Sequence, residues 1–357
     1  MNAPFTPERL STRLVDPVDV SEAGRIGAFL EDHPGATPFH RPEWINAVAK
    51  GTGNRAHALL AERRDVICAY LPLSEVRSPI FGAVLASSGF AVDGGLLTSA
   101  CHGDVLFAAV EELALRRSCP AIELRGGELP VDRDGWTLKT ESHCGFIRPL
   151  AATDEEELLA IPRKQRAEVR KGLEKDLTVE IGSSPRDRAA HYAVYSESVR
   201  NLGTPVFPRG LFDAVLDGFG AAADILTVRH RGEPVASVLS LYHRGSVMPY
   251  WGGGTLAARR LRANDRMYFE LMRHARGRGC TSFDFGRSKT NSGAYLFKRN
   301  WGFEPQPLSY ASWTAPGCAR RDADPTSAKH AAQIAVWRRL PLPLANLMGP
   351  LIAKGLG

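Results

Sequence analysis

The chain has 357 residues, long for one domain and a natural length for two. With 44% apolar and 24% charged residues it has the makeup of a globular protein, which excludes a disordered chain. A formal charge of +6 is a small excess at this length: it inclines the surface toward anionic partners such as nucleotides, phospholipid head groups or tRNA, and equally fits an ordinary solvated surface. Cys68, Cys101, Cys119, Cys144, Cys280 and Cys318 contain no C-x-x-C pair, so neither a metal site nor a disulfide framework is expected. The opening MNAPFTPERLSTR has no apolar signal core, and no apolar run reaches the length of a membrane span. The expected compartment is the cytoplasm.

In chain order, residues 1–20 are polar and proline-containing and read as a flexible lead-in. In HPGATPFHRPEWINAVAK, Pro42 suits the first position of a short helix, with Phe39 and Trp44 as packing groups. RAHALLAE and VICAYLPLSEV read as strands joined by a tight turn at Arg63-Arg64-Asp65. FGAVLASSGFAVDGGLL reads as a third strand ending at Gly94-Gly95. A helix follows from Gly103 to Ser118, then a strand in CPAIELRG. The second half repeats this order. Helices are expected at 161–175 and 185–200, then three meandering strands in ADILTVRH, PVASVLSLYH and SVMPYWGGG. Met267, Tyr268, Leu271, Met272 and Ala275 line one face of a helix at 264–276, which Gly277 and Gly279 stop. The closing strand CTSFDFGR matches CPAIELRG at an offset of 161 residues, with Cys119 against Cys280, Ile122 against Phe283 and Glu123 against Asp284.

A unit of this kind occurring twice points to an internal duplication, two mixed α/β units rather than one large sheet. The expected division is a lead-in over 1–20, domains over 21–152 and 153–315, and a tail over 316–357. The boundary falls in LAATDEEELLAIP, where Thr153 or Asp154 suits a helix cap.

The densest candidate chemistry lies in Asp284 to Phe303, DFGRSKTNSGAYLFKRNWGF. A strand end breaks at Gly286 into a polar loop, followed by Tyr295, Phe297, Lys298, Arg299, Trp301 and Phe303. Loops at the C-terminal ends of strands are where α/β proteins place chemistry. The Asp-Phe-Gly strand end followed by Gly-Ala-Tyr-Leu-Phe-Lys-x-x-Trp-Gly-Phe resembles the signature of FemAB-like transferases, built from GNAT-type acyltransferase folds. The FGRSK and FKxNWGFEPQPL pieces look most like the branch found with exosortase (PEP-CTERM) and exopolysaccharide gene clusters. The likeness extends from about His33 to Tyr310.

The resemblance implies a tandem pair of GNAT-like domains, no permanently bound cofactor, and aminoacyl-tRNA or acyl-CoA as the acyl donor. It also implies that Phe297-Lys298 acts at the aminoacyl ester, with the lysine ammonium stabilising the developing oxyanion. Substrate contacts are expected from Tyr295, Arg287, Ser288, Lys289, Asn291, Trp301, Tyr250 and His40. Arg163, Arg166 and Arg170 share a helix face in PRKQRAEVRKGLEK and suit phosphate, while an amphipathic surface helix explains them equally. Arg259 and Arg260, with Arg262, lie where acyl-CoA enzymes of this fold carry a Q/R-x-x-G-x-G/A pyrophosphate loop. That pattern is absent from WGGGTLAARRLRAND. Asp93 reads as a turn residue or a cleft residue.

The tail AAQIAVWRRLPLPLANLMGPLIAKGLG combines many apolar residues with Arg338, Arg339 and Lys354, interrupted by Pro341, Pro343 and Pro350. It suits packing on the body or peripheral contact with an acidic membrane. The function expected is amide formation on an amine-bearing acceptor of envelope or exopolysaccharide metabolism, the acceptor or donor being a nucleotide, lipid-linked sugar or tRNA. An acyl-CoA or acyl-carrier-dependent N-acyltransferase acting on an aminosugar, and a non-catalytic membrane scaffold, are the alternatives.

Overall fold

Three tight turns organise the strands. Arg64 and Asp65, Arg231 and Gly232, and Arg244 and Gly245 all have positive φ at both positions. Two successive left-handed residues make a type I′ turn, whose twist matches antiparallel strands. Each turn therefore closes a hairpin where the apolar runs on either side can pair. The computed structural model describes residues 10–99, 103–321 and 331–357.

The elements of the first half are β1 (Ser11–Val15), α1 (Val20–Asp32), α2 (Pro42–Thr52), β2 (Arg55–Arg63), β3 (Val66–Ser78), β4 (Gly82–Ser87), β5 (Leu97–Thr98), α3 (Asp104–Arg116) and β6 (Ala121–Arg125). After β7 (Trp136–Gly145) come β8 (Ile147–Pro149), α4 (Asp154–Ala160), α5 (Arg163–Leu173), β9 (Thr178–Gly182), α6 (Pro185–Leu202) and α7 (Arg209–Phe219). The second meander is β10 (Ala223–His230), β11 (Glu233–His243) and β12 (Ser246–Gly254), followed by α8 (Leu256–Leu261), α9 (Ala263–Gly277) and β13 (Ser282–Asp284). The chain closes with β14 (Ser288–Lys289), α10 (Gly293–Asn300), β15 (Gln306–Thr314), α11 (Ala331–Arg339) and α12 (Leu342–Ala353).

Packing divides these elements into two compact units. One is Met1–Lys139 with Ser309–Asp322 and Gly355–Gly357; the other is Thr140–Leu308 with Ala323–Lys354. In the first, strands run β1-β2-β3-β4-β6-β15, with β5 beside β3. In the second they run β8-β13-β12-β11-β10-β9. The two share one plan: an antiparallel meander, a helix, a strand parallel to the last strand of the meander, and an antiparallel strand beyond it. β6 is parallel to β4 and antiparallel to β15; β13 is parallel to β12 and antiparallel to β8. Glu123 and Asp284 fall at matching positions on β6 and β13, facing Ser312 and Ile147 on the antiparallel neighbours.

The duplication also reaches the helix ends. α3 and α9 both finish in a left-handed residue, Ser118 (φ 50) and Gly279 (φ 80). In both, the next amide returns to the carbonyl five residues back: Cys119 N donates to Ala114 O and Cys280 N to Ala275 O, each at 2.9 Å. This is a Schellman-type stop, and both cysteines are buried behind it. The described cysteines Cys68, Cys119, Cys144, Cys280 and Cys318 form no disulfide. Cys101 lies outside the described residues.

The fold departs from the sequence reading in several places. The first unit ends at Lys139 rather than 152, because Phe146 is fully buried in the second core and β8 pairs with β13. Ser309–Asp322 joins the first unit, since β15 pairs with β6. Within the lead-in, residues 1–9 lie outside the description, but Ser11–Val15 is an edge strand and α1 starts at Val20 behind an Asp19 cap. The edge strand buries only Val15, so it carries no alternation to detect. The strand expected to end at Gly94-Gly95 stops at Ser87, where left-handed Ser88 and Phe90 turn the chain. α7 adds a helix where the sequence carries no expected element. Thr153, expected at the boundary, lies inside the second unit, where it caps α4 in a capping box with Glu156.

The loop after β4 crosses the end of β6 at two glycine pairs. A Cβ on Gly95 would lie 1.9 Å from Gly126 O, and one on Gly127 would lie 2.3 Å from Leu96 O. Gly126 similarly has room for nothing but the Asp93 carboxylate, which accepts from Gly94 N at 2.7 Å. Asp93 thus stabilises a turn in the first unit, and burial pushes its carboxyl above the usual range. Backbone faces backbone at Gly95, so no side chain can yield. Gly95→Ala is expected to destabilise the first unit by about 1–3 kcal/mol; chemical denaturation of this variant would check it. An unchanged midpoint would show that the crossing is not tight in solution.

Candidate active site

In the second unit β12 and β13 are paired only at Ser246–Ser282 and Val247–Phe283. β12 then runs on to Gly254, while the chain beyond β13 turns at Gly286 (φ 69), so the strands part. Asp284 Oδ1 accepts from Gly286 N at 2.8 Å and fixes that turn. In the first unit the corresponding place is sealed: Arg125 N donates to Ser87 Oγ at 2.9 Å, and Leu96 bridges to Gly127.

Beyond the turn, β14 pairs Ser288 with Cys144 and Lys289 with His143. Ser292 then caps α10 by accepting from Tyr295 N at 3.2 Å. The Phe-Lys pair of the motif sits on this helix, where a loop and an aromatic cluster are expected from sequence. Successive helical residues point about 100° apart, so the pair splits. Phe297 packs against Tyr268, Phe285 and Trp301, whereas Lys298 turns back to the strand end.

Lys298 is 9% exposed. Its Nζ donates to Gly286 O at 3.1 Å and Arg287 O at 2.9 Å. It also lies 5.4 Å from the Phe146 ring centre and 5.7 Å from that of Phe285. Burial pushes its pKa down to about 7, with Asp284 opposing the shift and Arg287 adding to it. An ammonium has three donors, and two carbonyls use two of them. Next to it, the Ser288 hydroxyl is buried with no protein partner, leaving a polar group open to a bound molecule or water. Tyr295 stands edge-on to Phe146 with ring centres 5.5 Å apart.

The structure therefore gathers Lys298, Arg287, Ser288 and Tyr295 around one strand end, with Phe146 as a wall that nothing in CGFIRP signalled. Lys289 and Asn291 are exposed on the adjoining turn. Trp301 is fully buried among Tyr268, Phe285 and Phe297 and is a core residue, not a substrate contact. Phe297, partly buried, packs in the same ring cluster. His40 is 1% exposed in the first unit; Nδ1 accepts from Thr37 N, and Nε2 donates to Gly95 O at 3.1 Å. With both nitrogens engaged it is structural. Tyr250 is half-buried at a bulge of β12, against Trp251.

Of the arginines on α5, Arg163 and Arg170 are exposed, but Arg166 folds back onto the carbonyls of Ile161 and Leu159, both at 3.1 Å. Arg259 and Arg260 are exposed on α8. Arg262 is left-handed and pairs with Glu168 at 2.6 Å, which removes it from the phosphate-binding set. The glycines of WGGG are consumed by packing. A Cβ on Gly253 would meet Ser198 Oγ at 2.2 Å, and one on Gly254 would meet Asn264 Oδ1 at 2.5 Å. At the start of α8 the Leu256 amide donates to Glu197 Oε1 at 2.9 Å, so a carboxylate already occupies that helix end. Among the described residues no cluster of metal-ligating side chains occurs.

Residues 163–299 match the family model of the acetyltransferase (GNAT) domain. No curated relative matches the chain by sequence. Among solved structures, FemX superposes with a TM-score of 0.62 at 15% identity, over 80% of this chain and 95% of its own. A tandem GNAT protein from the clavulanic acid biosynthesis pathway gives 0.56 at 11% identity, over 87% and 100%. The C-terminal domain of a putative lysylphosphatidylglycerol synthetase from Agrobacterium fabrum gives 0.53 at 12%, over 82% and 91%. The open strand pair, its sealed counterpart and these likenesses agree on the fold: residues 163–299 match a GNAT acetyltransferase domain, within a chain that folds as a tandem of two GNAT-like units.

Proposed function

We propose that this chain is a FemAB-like N-acyltransferase that moves an aminoacyl group from aminoacyl-tRNA to an amine-bearing acceptor of cell-envelope or exopolysaccharide metabolism, working in the cytoplasm. The observation that carries the reading is the buried Lys298 ammonium at the end of the parted strand. The acceptor nitrogen attacks the ester carbonyl carbon, and a C–N bond forms as negative charge builds on the carbonyl oxygen. Lys298, with one N–H beyond the two given to Gly286 and Arg287, stabilises that charge. Collapse breaks the ester C–O bond; the ribose hydroxyl leaves with a proton that the amine gives up, passed through water.

The donor assignment rests on the start of α8. A pyrophosphate approaching that end would meet the Glu197 carboxylate and glycines whose Cα atoms are already packed. The exposed Arg163, Arg170, Arg259 and Arg260 remain for the tRNA backbone, and the branch resemblance of the FKxNWGF run supports the envelope setting. Filter binding of aminoacyl-tRNA and of acetyl-CoA tests this. Aminoacyl-tRNA should bind with strong salt dependence, weakened by Arg163→Ala/Arg170→Ala, and acetyl-CoA should not compete. Saturable acetyl-CoA binding without tRNA binding would move the function to an acyl-CoA-dependent enzyme acting on an aminosugar.

A further inference from the structure

α12 is turned opposite to an ordinary surface helix. Its inward face is Ala345, Gly349 and Ala353, all buried. Gly349 lies so close to Val206 that an added Cβ would meet that residue at 3.0 Å. Asn346 Nδ2 reaches Ser196 Oγ at 3.3 Å, tying the helix to α6. Outward, Leu344, Leu347, Met348 and Leu351 are 48%, 71%, 45% and 67% exposed. They stand at i, i+3, i+4 and i+7, so they form one continuous stripe. Water-facing helices of globular proteins bury such a stripe. Here small residues let the helix dock tightly while the large ones stay outside. Exposed apolar patches of this kind mark interaction surfaces.

The charges choose the occupant. From 331 to 357 the chain carries Arg338, Arg339 and Lys354 and no carboxylate side chain. All three are exposed, flanking the two ends of α12. Arg338 donates to Leu202 O at 3.2 Å and still keeps its charge at the surface. A second copy seated two-fold on this face would bring like charges together with no acid in the segment to pair them. Anionic lipid supplies the opposite charge and an apolar phase at once. Twelve residues give a helix about 18 Å long, short of a bilayer core of about 30 Å. Among the described residues no helix is long and apolar enough to cross a membrane. We propose that α12 is an in-plane docking helix for an anionic lipid bilayer, its leucine stripe entering the head-group boundary and the arginines and lysine meeting lipid phosphates.

The test is co-sedimentation of the full chain with phosphatidylcholine vesicles and with vesicles containing about one third phosphatidylglycerol. Binding should require the anionic lipid and weaken as salt rises. Leu347→Glu/Leu351→Glu should lower it by about tenfold or more, with the melting temperature unchanged because neither side chain is buried. Equal binding by the variant, or no binding of wild type to the anionic vesicles, overturns the proposal. A wild-type dimer by light scattering that the variant converts to monomer would assign the stripe to a second copy and also overturn it. None of these outcomes depends on the identity of the acyl donor.

Discussion

Lys298→Met slows single-turnover amide formation by on the order of a hundred- to thousandfold, the expected loss for one fixed donor at a developing oxyanion. Donor affinity stays near wild type, because the contact strengthens only as charge builds. Methionine keeps most of the length against Phe146 and Phe285 and removes the charge. Arginine is a poor control, since its planar fork cannot place one N–H on each of the Gly286 and Arg287 carbonyls in the same space. The pH profile gives an independent reading. With the Lys298 pKa lowered to about 7 by burial, the ammonium is the dominant form below that pH and is lost above it. An oxyanion-stabilising role therefore predicts a falling limb through pH 7, superposed on the rising limb of the attacking amine. The falling limb should vanish in Lys298→Met. If wild type shows no such limb and the variant turns over normally, the lysine serves only to hold the Gly286 turn.

The second large effect concerns stability. Glu157 on α4 is fully buried; one oxygen pairs with Arg148 Nη2, and the other accepts from Ala151 N at 2.9 Å. Arg148 comes from β8 and lies 4.6 Å above the Phe303 ring. This ion pair clamps β8 beside β13. Removing one partner leaves the other charge buried without compensation, which typically costs about 3–5 kcal/mol. Glu157→Ala is therefore expected to lower the stability of the second unit by about that amount, read from hydrogen exchange of the Phe283 and Phe285 amides. Arg148→Met/Glu157→Leu should recover most of the loss, since an apolar pair of similar volume carries no stranded charge. A loss below about 1 kcal/mol for Glu157→Ala would mean that water reaches Arg148 once the carboxylate is gone.

Much of this molecule was legible one residue at a time. The hairpins follow from short turns flanked by apolar runs. The repeated helix stop shows as Cys119 and Cys280 at one offset. The Phe-Lys motif pointed to the strand end where Lys298 is found. These signals are local, since backbone geometry and apolar periodicity act over a few residues. The α10 helix escaped because eight residues rich in aromatics, opened by glycine, carry little helical preference of their own; packing against Phe146 and Phe285 decides it. The partner strands of β6 and β13 escaped as well, because pairing Glu123 with Ser312 joins positions far apart in the chain and leaves no trace near either. Whether His40 and Arg166 are ligands or scaffold depends on which neighbours use their polar atoms, and whether Trp301 is core depends on which rings surround it; only the tertiary structure supplies those neighbours. For α12 the sequence set the leucine spacing, and the fit of Gly349 against Val206 decided which face looks outward.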